Sequence, residues 1–394
     1  MNNIVITKTN GGLGRRNPSK DMVSGLLANG VAVVGGVQLG QVYKLESVND
    51  ATQLGIDANY DATNQVLVYE HIKEFFRINP DGVLYIMLLA QNISYKDMLD
   101  PVNSGNGLKL LNDANGEIRQ LGVVYNPTLA GTWLDVNAAI LNAKKLAAEA
   151  DVLKMPLSII LEGRYYNTTA PVDLRTLNAE KVSVMIGQDL SVANDSSNPQ
   201  STYAAVGTAL GAVSRAAVNE NIAWVEKFNV FGDTLTIAGI QGSNINTLSD
   251  ATKNTLNDYG LLFFRTFVGK DGIYFNDTPT CTAITSDYAY IENNRTIDKA
   301  IREVRSILLP RLNSPIEVDT DTGQLSPEVV KSFEADGRRA LEVMLSNGEI
   351  SSMDVYVDPS QDILGTSELK VQFTLVPTGT ARQISVTIGF SNPF

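Results

Sequence analysis

Apolar positions along this chain recur with two different periods, and the changes between them mark out its elements. Residues 83–89 (VLYIMLL) are a continuous apolar run of strand length, the pattern of a strand buried on both faces. Val68, Ile72, Phe75 and Phe76 recur at helical spacing, and Asn79-Pro80-Asp81-Gly82 closes that helix. Residues 118–125 read as a strand, 135–151 as a helix with Ala139, Ile140, Ala143, Leu146 and Ala147 on one side, and 157–161 and 182–186 as two more strands. An alanine-rich helix follows over 203–219. Nearer the start, residues 22–43 read as a short helix stopped at Gly30 and a buried strand over 31–34, and 51–64 as loop or short helix. Strands alternating with helices predict an α/β unit with a largely parallel sheet over 22–245.

The last third changes pattern. A helix is predicted from the N-cap Ser249. Strands over 261–268 and 273–275 are joined by Gly269-Lys270-Asp271-Gly272, a hairpin signal. Over 296–309, Ile297, Ile301, Val304 and Leu308 form one stripe of a helix, with Lys299, Arg302, Glu303 and Arg305 assigned to solvent. Ser326-Pro327-Glu328 opens a second helix that ends at Asn347-Gly348. Val330, Phe333, Ala340, Leu341 and Met344 make its apolar face. Glu328, Lys331, Arg338 and Glu342 lie opposite, with Arg339 beside them. Residues 352–357, 369–376 and 383–390 alternate as strands, and in the last Ile384, Val386 and Ile388 point one way. At the other end, Ile4, Val5 and Ile6 belong to a short strand at 3–7, tied on by the glycine-rich joint 10–16. A lone strand is marginal in water, so it must add to a sheet, its own or a neighbour's.

Composition narrows the chemistry. The chain has 394 residues, 44% of them hydrophobic and 19% charged, enough for two or three folded domains. A net charge of −12 argues against direct nucleic-acid binding. One cysteine, Cys281, excludes an internal disulfide and a cysteine zinc site. One histidine, His71, leaves a catalytic triad a single candidate base and rules out multi-histidine metal sites. The first residues lack a secretory pattern, and no apolar run is long enough to span a membrane, so folding in a reducing cytoplasm is expected. Gly11-Gly12-Leu13-Gly14 lacks the strand, helix and lysine of a phosphate loop. Asp319, Asp321, Gly323 and Glu328 miss the calcium-loop spacing. His71, between Glu70 and Glu74 on a helix, is read as structural or surface, Cys281 as a buried inert thiol, and Asp354, Asp358 and Asp362 as a solvated loop. No catalytic, cofactor or metal residue is expected.

The order of elements from 259 to 394 resembles the C-terminal domain of contractile tail sheath proteins. The phrases that carry the resemblance are DYGLLFFRTFVGKDGIYFNDTPT, YIENNRTIDKAIREVRSILLPRL and LKVQFTLVPTGTARQISVTIGF. Many sheath proteins have a doubled arginine where this chain has only Arg295. The resemblance implies an α+β inner domain with an inserted α/β domain: an N-terminal arm at 1–21, an outer domain at 22–245, an inner domain at 246–380 and a C-terminal strand arm at 381–394. It implies a non-enzymatic homo-oligomer of stacked hexameric rings around an inner tail tube, contacting baseplate and tail terminator proteins. The particle would be a virion tail or contractile injection machine assembled in the host or producer cytoplasm. Ile4, Val5, Ile6, Ile384, Val386 and Ile388 would exchange strands between subunits, and Lys331, Arg338, Arg339 and Glu342 would face the tube. The alternation of strands and helices in the middle of the chain alone leaves an α/β enzyme or small-molecule binding protein as the alternative.

Overall fold

The computed structural model describes residues 20–196, 198, 200–232, 234–319 and 323–391. A six-stranded sheet lies at its centre. Its strands in chain order are β1 (Val23–Gly30), β2 (Val42–Leu45), β3 (Val83–Ala90), β4 (Gln120–Val124), β5 (Ser158–Glu162) and β6 (Val182–Met185). In space they run β2-β3-β1-β4-β5-β6. All are parallel except β2, which pairs antiparallel on β3 at the edge. Every residue of β1, β4, β5 and β6 is buried, so these strands show no alternation in sequence.

The helices of this part are α1 (Val48–Gln53), α2 (Ala58–Asn64), α3 (Val68–Ile78), α4 (Tyr95–Leu99), α5 (Asn106–Asp113), α6 (Trp133–Val152), α7 (Leu190–Ala193) and α8 (Val206–Arg215). α3 and α8 pack together on the sheet as one layer, and α4 to α6 form the other. The predicted faces of α3 and α6 are the ones buried. Residues 22–34 are the exception. The chain forms strand β1 where a helix was predicted, and 31–34 lie in a turn with Val34 fully in water. The small residues of VSGLLANG suit the centre of a sheet covered on both sides. A Cβ on Gly25 would sit 2.9 Å from the Ile118 side chain.

A small sheet of β7 (Gln188–Asp189), β8 (Ala238–Ile240) and β9 (Ser243–Asn244) precedes α9 (Asp250–Asp258), whose N-cap Ser249 accepts the N–H of Thr252. Strands β10 (Phe264–Phe267) and β11 (Lys270–Phe275) form the predicted hairpin with a tighter turn, Val268-Gly269, in which Gly269 takes a φ of +78°. One continuous core runs from Leu26 to Ile291, passing Ile245 and Leu256 without a break. Beyond it come α10 (Ile291–Leu308), α11 (Pro327–Ser346), β12 (Ile350–Tyr356), α12 (Ile363–Thr366) and β13 (Gln372–Pro377). Their two apolar clusters are small, one around Leu341 and Met344 and one around Phe333 and Val357.

The α3–α8 contact is close enough to depend on glycine. A Cβ on Gly207 would lie 2.2 Å from the backbone oxygen of His71, and one on Gly211 would lie 2.8 Å from that of Phe75. Backbone cannot move aside as a side-chain tip can. Gly207→Ala is therefore expected to cost about 2–3 kcal/mol, at the upper end of overpacking penalties, read as a lowered thermal midpoint, whereas Gly105→Ala, whose side chain would meet open space, should lose only the smaller cost of its positive φ.

Candidate assembly interface

Helix α10 was expected to show its charged side to solvent, and it does so only in part: Glu303 and Arg305 are exposed. Lys299 and Arg302 are enclosed, while Ile301 of the apolar stripe is half exposed. The reason is that charges already out of water must find partners, and the partners lie in the α/β body. Arg295, 4% exposed, donates to the carbonyls of Ala216 and Ala217 at the C-terminal end of α8, where the helix dipole favours a cation. Burial pushes its pKa down to about 10. Asp298 pairs with Lys181 at 2.7 Å, and Lys181 also reaches Asp151 at 2.6 Å. Lys299 bridges Asp21 at 2.8 Å and Glu349 at 2.7 Å, and Arg302 meets Asp21 at 2.7 Å. Burial alone would raise the Asp21 carboxyl, but the hydrogen bond from Lys299 and the charges of Lys299 and Arg302 hold it below the ordinary range. Asn294 adds side-chain hydrogen bonds to the carbonyls of Glu180, Tyr288 and Tyr290. The helix is thus fixed by its polar face.

On the far side, α10 and α11 support a hairpin. β12 and β13 pair antiparallel from Ile350↔Pro377 to Tyr356↔Gln372. Ile350, Val355, Phe373 and Leu375 turn inward on α11, and Gly337 leaves room for them: a Cβ there would lie 2.8 Å from Val355 and 2.9 Å from the Phe373 ring. Among the described residues this sheet has two strands, so both its outer edges carry unpaired backbone groups.

Residues 378–391 lie outside any helix or strand. The strand predicted at 383–390 has no partner within the described chain. Ile384, Val386 and Ile388 are 80%, 79% and 93% exposed, so the alternation is present and its apolar side faces water. Ile4, Val5 and Ile6 lie outside the described residues. Lys331, Arg338, Arg339 and Glu342 are brought together on the outer face of α11. Three of them are paired: Lys331 with Glu334 at 2.7 Å, Arg338 with Asp354 at 2.9 Å and Arg339 with Asp336 at 2.6 Å. No local pattern marks Asp21, Asp277 or Arg382, because their ion-pair partners are remote in the chain.

A family model described as DUF2586, N-terminal domain, matches residues 1–279, and one described as DUF2586, C-terminal domain, matches residues 287–394. The chain belongs to the DUF2586 family. No curated protein sequence matches it. Among solved structures it is similar to the helical sheath of the anti-feeding prophage (AFP) in the contracted state, at 15% identity and a TM-score of 0.64, covering 98% of this chain and 99% of that one. It is similar to the sheath complex of the extracellular contractile injection system PVC in the contracted state (13% identity, TM-score 0.59, 99% and 97% covered). It is also similar to a sheath tail protein from Desulfitobacterium hafniense (12% identity, TM-score 0.53, 96% and 100% covered). This DUF2586 chain has the α/β, multidomain fold of contractile sheath proteins.

The remaining sequence candidates are local. Asp354 pairs with Arg338, Asp358 accepts from Ser360, and Asp362 caps α12. Cys281 is fully buried, and burial pushes its thiol up to about 12. Among the described residues no group of His, Cys, Asp and Glu is placed to hold a metal, and no helix is long and apolar enough to cross a membrane. At the carboxyl ends of β1 and β4, where an open α/β sheet of this strand order binds ligands, the crevice is closed. Asn126 donates its backbone N–H to Asn29 Oδ1 at 3.2 Å and its side-chain amide to Asn29 O at 3.1 Å, and Arg164 donates to Asn126 Oδ1 at 3.1 Å. Arg164 in turn pairs with buried Glu162 at 3.0 Å.

His71 is inside, with Nδ1 accepting the N–H of Gly207 at 3.0 Å. Burial, with the nearby charge of Arg164, pushes its pKa down to about 3. A histidine depressed in the folded state contributes stability that is present above its unfolded pKa, about 6.5, and lost as pH falls. Asp61 opposes this, since burial pushes its carboxyl up to about 7. The difference between two proteins isolates the histidine: between pH 6 and 4.5 the wild type should lose about 1.4 kcal/mol per pH unit more than His71→Gln in urea unfolding.

Proposed function

We propose that this chain is the subunit of a contractile sheath, a structural protein and not an enzyme. The observation that carries the proposal is that, among the described residues, the C-terminal hairpin has no third strand beside it, while 383–390 is an exposed segment of alternating sequence that is paired with nothing. Strand addition between copies resolves both deficits: main-chain hydrogen bonds close the edges, and Ile384, Val386 and Ile388 gain cover. Ile4, Val5 and Ile6 would supply a second exchanged strand. The similarity to sheath structures over nearly the whole chain supports this. In the proposed particle, a phage tail or contractile injection machine, subunits stack as hexameric rings around an inner tube and meet baseplate and terminator proteins. The proposed division is arms at 1–21 and 381–394, an outer domain at 22–245 and an inner domain at 246–380, with one apolar core carried across the 245/246 boundary as far as Ile291. Lys331, Arg338, Arg339 and Glu342 face the tube. The competing idea, an α/β enzyme or small-molecule binding protein, would use the crevice that Asn29, Asn126 and Arg164 close.

Electron microscopy of the concentrated protein, alone and co-expressed with its tube protein, tests the sheath. Hollow striated sleeves of uniform width are expected; monodisperse particles under both conditions would reject it. Removing residues 383–394 should leave a folded, soluble subunit that forms no sleeves, and normal sleeves from that truncation would defeat strand exchange. Reversing Lys331, Arg338 and Arg339 to Glu should spare self-assembly but abolish co-assembly with the tube, a result that a merely solvated face would not give.

A further inference from the structure

Beyond Pro377 the described chain hydrogen-bonds to the body at only two residues. Thr378 Oγ1 accepts from Asn219 at 3.1 Å, and Arg382 enters a notch between the α/β body and the start of α10. That notch is built for a guanidinium. Asp277 and Glu292 both accept from the side-chain amide of Asn221, at 2.6 and 3.2 Å, so two carboxylates stand side by side, Glu292 in full burial. Thr278 donates its backbone N–H to Asp277 and its hydroxyl to Glu292. These donors satisfy one side of the pair and leave two like charges that repel unless a cation bridges them. Arg382 does so: Nε donates to Asp277 Oδ2 at 2.9 Å, Nη2 donates to Glu292 Oε1, and the guanidinium lies 3.4 Å from the centre of the Tyr290 ring. A planar fork can bridge two carboxylates while stacked on a ring, and a lysine ammonium cannot do both.

We propose that Asp277, Glu292 and Tyr290 form a guanidinium receptor, and that Arg382 held in it is the positioning residue that fixes where the C-terminal arm leaves the body. Residues 383–391 follow at once and are exposed throughout, so the receptor sets the point from which they reach a second copy of this chain. Without it the last fixed point retreats to Thr378, and the four residues between add roughly 13 Å of free chain. Slack of that size lowers the effective concentration of the strand at a neighbour's edge. The receptor stands on the geometry of the free subunit; only its consequence in assembly rests on strand exchange.

Cys281 is fully buried, so cysteines introduced as Ser346→Cys at the end of α11 and Ser385→Cys in the arm can be spin-labelled selectively. Electron–electron distance measurements on the folded subunit should give a narrow distribution for the otherwise unaltered chain and a markedly broader one for Arg382→Ala. Arg382→Lys should fall between them, and Tyr290→Phe, which keeps the ring, should match the parent. An unchanged distribution in Arg382→Ala overturns the receptor, whatever the truncation of 383–394 shows about strand exchange. In assembly, Arg382→Ala should raise the critical concentration several-fold, through the lowered effective concentration of the strand at a neighbour's edge. A broadened distribution with an unchanged critical concentration overturns the presenting role.

Discussion

Charge carried out of water on α10 is the constraint on which the rest depends. Glu292, Arg295 and Asp298 are nearly inaccessible, and Lys299 and Arg302 are mostly enclosed. Desolvating such groups costs several kcal/mol each, and each must recover that from a partner in a fixed place. The partners come from distant parts of the chain: Asp21 before β1, Ala216 and Ala217 after α8, Lys181 before β6, Glu349 before β12 and Arg382 in the arm. An apolar interface could slide by half a turn at modest loss. This one has a single register, because a shift would strand several charges together. Buried ion pairs add little net stability, so their effect here is on geometry: they fix how the C-terminal layer sits on the α/β body.

The two sides of α10 differ in how complete they are. Behind it the core runs without a break from Leu26 to Ile291. In front, the hairpin and α11 close over clusters of four or five buried residues, and a two-stranded sheet with a thin core is marginal alone. Large apolar side chains remain uncovered on this layer, among them Ile301, Val343, Tyr356 and Val376. A chain that could have sealed its own sheet with the strand at 383–390 leaves it outside instead. That is the arrangement which the proposed exchange of strands between copies would complete.

How far this was legible in the sequence follows from where the deciding contacts lie. Local rules found what local forces decide: the caps of α9 and α11, the stripe on α3 and the order of elements in the last third as far as Pro377; residues 383–390, read as a strand, lie outside any helix or strand. They failed at β1, because a central strand with both faces covered has no period, and VSGLLANG is poor in the β-branched residues that mark most strands. They failed in part on α10 for the opposite reason. The helix has a regular apolar stripe, of which Val304 and Leu308 do pack inward, but Lys299 and Arg302 are drawn in beside it by Asp21, far back in the chain. Lys331, Arg338, Arg339 and Glu342, proposed to face the tube, were read from the sequence as one face of α11, but the pairing of Arg338 with Asp354 and of Arg339 with Asp336 was not.

The α/β body also separates fold from use. Its parallel strands follow an order that elsewhere opens a ligand crevice where neighbouring connections diverge, at the carboxyl ends of β1 and β4. Here Asn29, Asn126 and Arg164 fill that point with hydrogen bonds, and Arg164 forms an ion pair with buried Glu162. Buried hydrogen bonds and ion pairs of this kind hold their members in one arrangement. The glycine contact of α8 on α3 works in the same direction, since backbone packed on backbone has no side chain to rearrange. A binding protein profits from a crevice that can open and close. The proposed sheath subunit would profit from a body that resists deformation, and the closed crevice, the glycine seam and the charge-locked α10 all favour one.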